Sequence, residues 1–361
     1  MSGSNWRKCK LGDVITLKRG YDLPQQSRKQ GPYPVVSSAG ITDYHAEAKV
    51  SGPGVVTGRY GTLGEVFYLE AEFWPLNTAL YVQDFKGNEP RFVAYLLRAL
   101  DFGARNAAGA VPGVNRNHLH AMDVLVPHVA EQRRIAGILS VYDDLIENCE
   151  RRIRVLDEMA RALYREWFVN FRYPGHEKVP LVESAIGRIP RGWQVRRLGE
   201  VVTLNYGKAL KADSRRGGSV PVYASSGIVG WHDESIAAGP GIVLGRKGNV
   251  GSLCWSDVDF FVIDTAYFVT SELPLRFVYH DLHGKNFING DAAVPGLSRQ
   301  QAYALETLVP PEGLLRRFAG YADAFGQVAS NLALQAKNLR ETRDLLLPRL
   351  LAGQLSLEKA A

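Results

Sequence analysis

The sequence is poor in what catalysis, metal binding or membrane insertion would need. Its three cysteines, Cys9, Cys149 and Cys254, stand far apart and form no C-x-x-C pair, which excludes a thiolate zinc centre and a disulfide framework. The eight histidines show no H-E-x-x-H spacing, and His118 and His120 lie two apart, so a helix would not bring them to one face. No metal and no other cofactor is expected. No apolar run approaches the roughly 20 residues of a membrane helix. Met1-Ser2-Gly3-Ser4-Asn5-Trp6 has no apolar signal core, so the cytoplasm is the expected compartment. A phosphate loop ending in Gly-Lys-Ser/Thr is missing, as are the glycine-rich turn and Asn/Asp-Pro-Pro-aromatic motif of an adenine methyltransferase. Asp257 and Asp259 lack the lysine partner of a nuclease centre. The chain reads as non-enzymatic.

What is present is a repeat, on a basic background. The 361 residues carry a net charge of +6, which favours a polyanionic partner. Shifting the chain by 187 places Trp6, Leu11, Gly12, Val14, Leu17 and Gly20 on Trp193, Leu198, Gly199, Val201, Leu204 and Gly207 (193 − 6 = 187). Gly52-Pro53-Gly54 falls on Gly239-Pro240-Gly241, and Gly58-Arg59, Gly61 and Gly64 on Gly245-Arg246, Gly248 and Gly251. The offset then drops to 183, matching Val111-Pro112-Gly113 with Val294-Pro295-Gly296 (294 − 111 = 183) and Leu125-Val126-Pro127 with Leu308-Val309-Pro310. A period this long is a duplicated domain, not a solenoid unit.

Each copy pairs a β-rich part with a helical part. Gly54–Thr57 and Thr78–Val82 are rich in β-branched and aromatic residues, predicting strands, and residues 90–100 predict a short helix with Pro90 near its start. Residues 131–171 contain no proline and one glycine, Gly137. Ile135, Tyr142, Cys149, Leu156 and Leu163 recur every seven residues, with Ile138, Leu145 and Met159 at the partner position and Arg152 interrupting it. In the second copy Phe318, Phe325, Leu332, Leu339 and Leu346 repeat the seam, flanked by Ala322, Ala329 and Ala336, and Pro348 is expected to end the helix. The boundaries drawn are 1–129 and 176–311 for the β-rich domains, 130–175 and 312–361 for the helices. The fold expected is α+β, two similar mixed domains separated by two long antiparallel helices in a coiled-coil spacer. The alternative packs each seam on its own globular part. At ~1.5 Å per residue each helix spans about 60 Å, enough to hold two readers one DNA turn, about 34 Å, apart.

The passage Leu163-Tyr164-Arg165-Glu166-Trp167-Phe168-Val169-Asn170-Phe171-Arg172-Tyr173-Pro174-Gly175, followed by Gly187-Arg188-Ile189-Pro190-Arg191-Gly192-Trp193, resembles the central conserved region of type I restriction–modification specificity subunits. The Gly-Arg-x-Gly-x-x-Gly blocks of both copies, Glu131-Gln132-Arg133-Arg134-Ile135 and Leu345-Leu346-Leu347-Pro348-Arg349-Leu350-Leu351 resemble the same family. The resemblance implies two target-recognition domains, each reading half of a split site in double-stranded DNA. It also implies partners: two methyltransferase subunits and, in the full complex, nuclease/translocase subunits, with methylation falling on adenine. The competing reading is a protein-interaction scaffold without a DNA role.

Candidate DNA-contacting residues follow from chemistry. Arg59 and Arg246 sit in glycine-rich turns that let a guanidinium approach phosphate or a base edge. Between the glycines the copies differ: Tyr60 and Thr62 in one, Lys247 and Asn249 in the other, as one scaffold reading two sequences would. Lys18 and Arg19, within the repeated Leu-x-x-Gly block, and Lys208 and Lys211, after it, suit phosphate. Arg116 and Arg299 follow Asn115 and Ser298, which are expected to cap short helices. Tyr44 and Trp231, each followed by a histidine, are expected to pack rather than to face a ligand.

Overall fold

The computed structural model describes residues 6–100, 113–287 and 296–355; Val111-Pro112 and Val294-Pro295 lie outside them. The chain divides into two compact units, one of residues 1–148 with 335–361, the other of 149–334.

In the first unit a ladder of β1 (Trp6–Lys10) and β9 (Asp123–Pro127) stands beside two sheets. One sheet has the order β2 (Thr16–Arg19), β8 (Ala79–Asp84), β5 (Gly54–Gly58) and β6 (Val66–Leu69). The other runs β4 (Gly40–His45), β3 (Tyr33–Ser37) and β7 (Trp74–Pro75), with β3 and β7 parallel. The helices are α1 (Leu11–Val14), α2 (Pro90–Ala99), α3 (Arg116–His120) and the long α4 (Val129–Tyr164).

The second unit repeats the plan. A hairpin of β10 (Leu181–Ser184) and β11 (Gly187–Pro190) precedes β12 (Gln194–Arg197), which pairs with β20 (Glu306–Val309) as β1 pairs with β9. The larger sheet has the order β13 (Val202–Tyr206), β19 (Ala266–Ser271), β16 (Gly241–Gly245) and β17 (Leu253–Ser256). The smaller has β15 (Gly227–His232), β14 (Val220–Ala224) and β18 (Phe261–Val262). Helices α5 (Leu275–His283), α6 (Arg299–Ala304) and the long α7 (Glu312–Leu351) follow. The same strand order twice is the structural form of the 187-residue offset (β13 starts 202 − 16 = 186 after β2).

The long helices contribute to both units. In the first, Ile135, Ala136 and Leu139 of α4 and Leu350 and Leu351 of α7 enter one core with Leu11, Phe92 and Val124. Asp143 of α4 accepts hydrogen bonds from Tyr95, Arg98 and Arg343, so it ties α2 and α7 to α4. Burial raises its pKa, but these partners outweigh burial and hold the carboxyl below its usual range. In the second unit, Phe168, just beyond α4, meets Phe318 at the start of α7, with ring centroids 5.0 Å apart. Within the first unit the two helices run antiparallel, since Ile135 shares a core with Leu350 and, further along α4, Asp143 meets Arg343 further back on α7. Each seam also packs on globular residues.

Three details depart from the sequence expectation. On α4 the partner row is Leu139, Ile146 and Ala160, all buried, with Ile153 half-buried between them, while Leu145 and Met159 are exposed. The seven-residue period allows a step of three or of four, and here the step is four. The helix gives way after Tyr164 to a π-helical turn, Arg165–Val169, that turns Trp167 and Phe168 into the core. Pro348 does not end α7, which continues to Leu351. Burial of Leu350 and Leu351 holds that last turn, and Gly353, at φ 66°, makes the stop.

Candidate nucleic-acid interface

In the first unit, β5 ends at Gly58 and the next two residues, Arg59 and Tyr60, donate their N–H groups to the carbonyl of Thr78 at 2.9 and 3.2 Å. The loop that follows is tight. A Cβ on Gly58 would overlap the carbonyl oxygen of Thr62, and Gly61 and Gly64 have φ of 81° and 87°, where glycine alone is unstrained. Val114 N–H closes the far side on the carbonyl of Arg59, 2.9 Å away. Asn115 caps α3 by accepting from Asn117 N–H at 2.9 Å, which sets Arg116 in the first helical position. Arg19 comes from the end of β2. Together Arg19, Arg59, Tyr60, Gly113, Asn115 and Arg116 line a cleft of 630 Å³. It has three guanidinium groups and no carboxylate in its lining, a wall suited to a phosphate-bearing ligand. The Arg59 guanidinium lies 4.5 Å from the centre of the Tyr60 ring.

The second unit builds its version by the same bonds. Arg246 and Lys247 N–H donate to the carbonyl of Thr265 at 2.9 and 3.0 Å, and Leu297 N–H reaches the carbonyl of Arg246 at 2.8 Å. A Cβ on Gly245 would overlap the Asn249 carbonyl, and Gly248 and Gly251 have φ of 75° and 78°. Ser298 caps α6 through Gln301 N–H. Arg246 and Arg299 each lie 4.9 Å from the ring centre of Tyr206, at the end of β13.

The structure therefore gathers Arg19, Arg59, Tyr60 and Arg116 into one site, and Arg246 and Arg299 into another with Lys247 beside them in the loop. Thr62 and Asn249 stand exposed at the loop tips, and Lys208 and Lys211 are exposed on the segment after β13. Lys18 turns to the other face of its strand, 5.7 Å from the ring centre of Tyr21. Sequence reasoning missed Tyr206; its signal was its place 187 residues after Arg19. Tyr44 and Trp231 are 52% and 49% exposed, not packed. Their histidine neighbours are buried instead, and their ring nitrogens accept the N–H groups of Lys29 and Arg216.

Both strands that deliver the site are anchored by a matched pair of side chains. Leu17 N–H donates to His120 Nε2 at 2.9 Å, and Leu204 N–H to the Tyr303 hydroxyl at 2.9 Å. Only neutral imidazole can accept, and burial, with Arg116 and Lys86 nearby, pushes the His120 pKa down. Because the folded pKa lies below that of the unfolded chain, this bond stabilises fully above the ordinary histidine value, about 6.5, and is lost as pH falls below it. His120→Tyr, which borrows the second unit's solution, is expected to shrink the stability difference between about pH 7.5 and about pH 5.5 in denaturant titrations. An unchanged difference would remove His120 as its source.

Among the described residues no helix is long and apolar enough to cross a membrane, and no three His, Cys, Asp or Glu groups cluster as metal ligands. Residues 3–158 match the family described as type I restriction modification DNA specificity domain. The chain is 23% identical over 285 residues to the type I restriction enzyme MjaIX specificity subunit of Methanocaldococcus jannaschii, covering 69% of this chain and 64% of that one. It is 25% identical over 157 residues to the EcoprrI specificity subunit of Escherichia coli, covering 42% and 39%. A crystal structure of a type I restriction–modification system S subunit from M. genitalium superposes over 97% of both chains with TM-score 0.63 and 19% identity. That likeness bears on the fold. The match spans less than two thirds of the MjaIX subunit's length.

Proposed function

We propose that this chain, which belongs to the type I restriction–modification specificity family, is the DNA-reading subunit of such a complex and has no catalytic centre of its own. Each unit reads one half of a bipartite duplex target through its cluster of arginines around a tyrosine. The helices α4 and α7 fix the separation of the halves and dock two methyltransferase subunits, with nuclease/translocase subunits joining the full assembly. Val141, Leu145, Val155 and Met159 give α4 an exposed apolar face suited to that docking.

The observation that carries this reading is the recurrence of the cluster. Both units keep an arginine after the β5 or β16 glycine and an arginine opening α3 or α6. The two helix-opening arginines are exposed, and the two that follow the glycines are half-buried. Backbone phosphates would be met by these arginines, and base edges by whatever stands between them.

The test is binding to duplex DNA across a salt series. Affinity should fall steeply, because each phosphate contact releases counterions. Arg59→Ala should weaken binding about tenfold or more, as expected of about 1–3 kcal/mol for a lost guanidinium contact. Affinity indifferent to salt and to Arg59 would instead favour the protein scaffold.

A further inference from the structure

Four positions form each cluster, and two of them hold exchanged chemistry. In the first unit they are Arg19, Arg59, Tyr60 and Arg116; in the second, Tyr206, Arg246, Lys247 and Arg299. Each set has three cations and one tyrosine. Arginine is kept at 59/246 and 116/299. At 19/206 and 60/247 the cation and the ring trade places: the first unit presents a cation from the strand end and a ring from the loop, the second the reverse.

All four exchanged side chains are open to solvent, although Tyr206 also lies 5.1 Å from the ring centre of Tyr267 and Tyr60 covers Gly113. Tyr60 is 40% and Tyr206 48% exposed, and the side chains of Arg19 and Lys247 are 51% and 44% exposed. Each cation has one weak, exposed carboxylate neighbour, Asp22 at 3.6 Å and Asp264 at 4.0 Å, which keeps it at its own rim without neutralising it at any depth. The ring is held against the kept arginines: Arg59 lies over Tyr60, and Arg246 and Arg299 over Tyr206. A cation donates to guanine O6 and N7, whereas a ring face contacts a thymine methyl or stacks on a base. Exchanging the two exchanges what neighbouring base pairs are asked to present.

We infer that positions 19 and 60 in the first unit, and 206 and 247 in the second, act as a coupled pair that sets the base preference of each half-site, while the arginines kept in both units set affinity. This rests on the DNA reading proposed above. The kept arginines contact what every sequence shares, and the exchanged pair contacts what differs.

The experiment is selection from a pool of randomised duplexes by the full-length chain, followed by sequencing of the bound fraction. The double variant Arg19→Tyr/Tyr60→Lys gives the first unit the second unit's arrangement. Its pool should shift enrichment at one or more base pairs of one half-site by about tenfold, the size of one base contact, and leave the other half-site and the spacer as in the parent. Arg59→Ala should lower recovery of all sequences alike. The reciprocal Tyr206→Arg/Lys247→Tyr should change the other half-site, and it serves if the first variant fails to fold. An unchanged consensus in folded swap variants, whatever happens to affinity, overturns the inference and leaves the DNA reading standing. A parental pool without any consensus sinks the DNA reading, and this inference with it.

Discussion

Ending the chain at Leu334 should unfold the first unit and spare the second. Nothing in linear order would lead one to expect this, because the residues removed lie more than 180 positions after the end of that unit's first segment (335 − 148 = 187). The first unit is closed by the last turns of α7. Leu350 and Leu351 are buried in its core, and Leu346 and Leu347 pack against it. A fully buried leucine contributes about 1.5–3 kcal/mol, so with the half-buried pair counted at less the loss is on the order of 5–9 kcal/mol. Domain stability is itself only about 5–15 kcal/mol. Removing Arg343 also leaves the carboxylate of Asp143 with Tyr95 and Arg98 alone. The check is limited proteolysis followed by mass spectrometry. Cleavage should concentrate in the β-rich sheets of residues 6–100, and the segment 149–334 should persist. Resistance of residues 6–100 in the shortened chain would show that the first unit closes without α7.

Much of this was legible in the sequence. One offset gave the duplicated strand order, because duplicated glycines and prolines mark the same turns in each copy. The helix seams were legible as periods, and the one on α4 was misread in phase. A seven-residue repeat splits into three plus four or four plus three, and Ile138, Leu145 and Met159 satisfy the first split as well as Leu139, Ile146 and Ala160 satisfy the second. The second copy held the answer: Ala322 stands 183 residues after Leu139, the same offset that relates Phe318 to Ile135. Pro348 was misread for another reason. A proline removes one hydrogen bond and crowds the preceding turn, and buried Leu350 and Leu351 are enough to carry the helix past it. Tyr206 was invisible to a search for repeated identities because its counterpart is an arginine. Residues that give two copies different jobs are those a self-comparison discards.

Of the glycines that both copies share in the reading loops, Gly58 and Gly245 should be the least able to change. Gly58→Ala is expected to abolish reading of the first half-site, and Gly245→Ala reading of the second. In each case the new Cβ would overlap a backbone carbonyl oxygen, of Thr62 or of Asn249. Backbone has no rotamer with which to move away, so the loop itself must open. Such overpacking costs about 1–3 kcal/mol and sometimes more. That leaves a domain folded yet displaces the loop that presents Arg59 and Tyr60, or Arg246 and Lys247. Binding should fall further than for Arg59→Ala, since the whole loop loses its place rather than one side chain. Gly64→Ala separates shape from space. At φ 87° with no atom within 4 Å of the added Cβ, it suffers only the left-handed strain, about 1–2 kcal/mol, without a clash. It should therefore keep the half-site preference at reduced stability. Binding by duplexes carrying one intact and one scrambled half-site distinguishes the outcomes. Equal loss of both halves in Gly58→Ala would mean that the glycine supports the fold at large and not the reading loop.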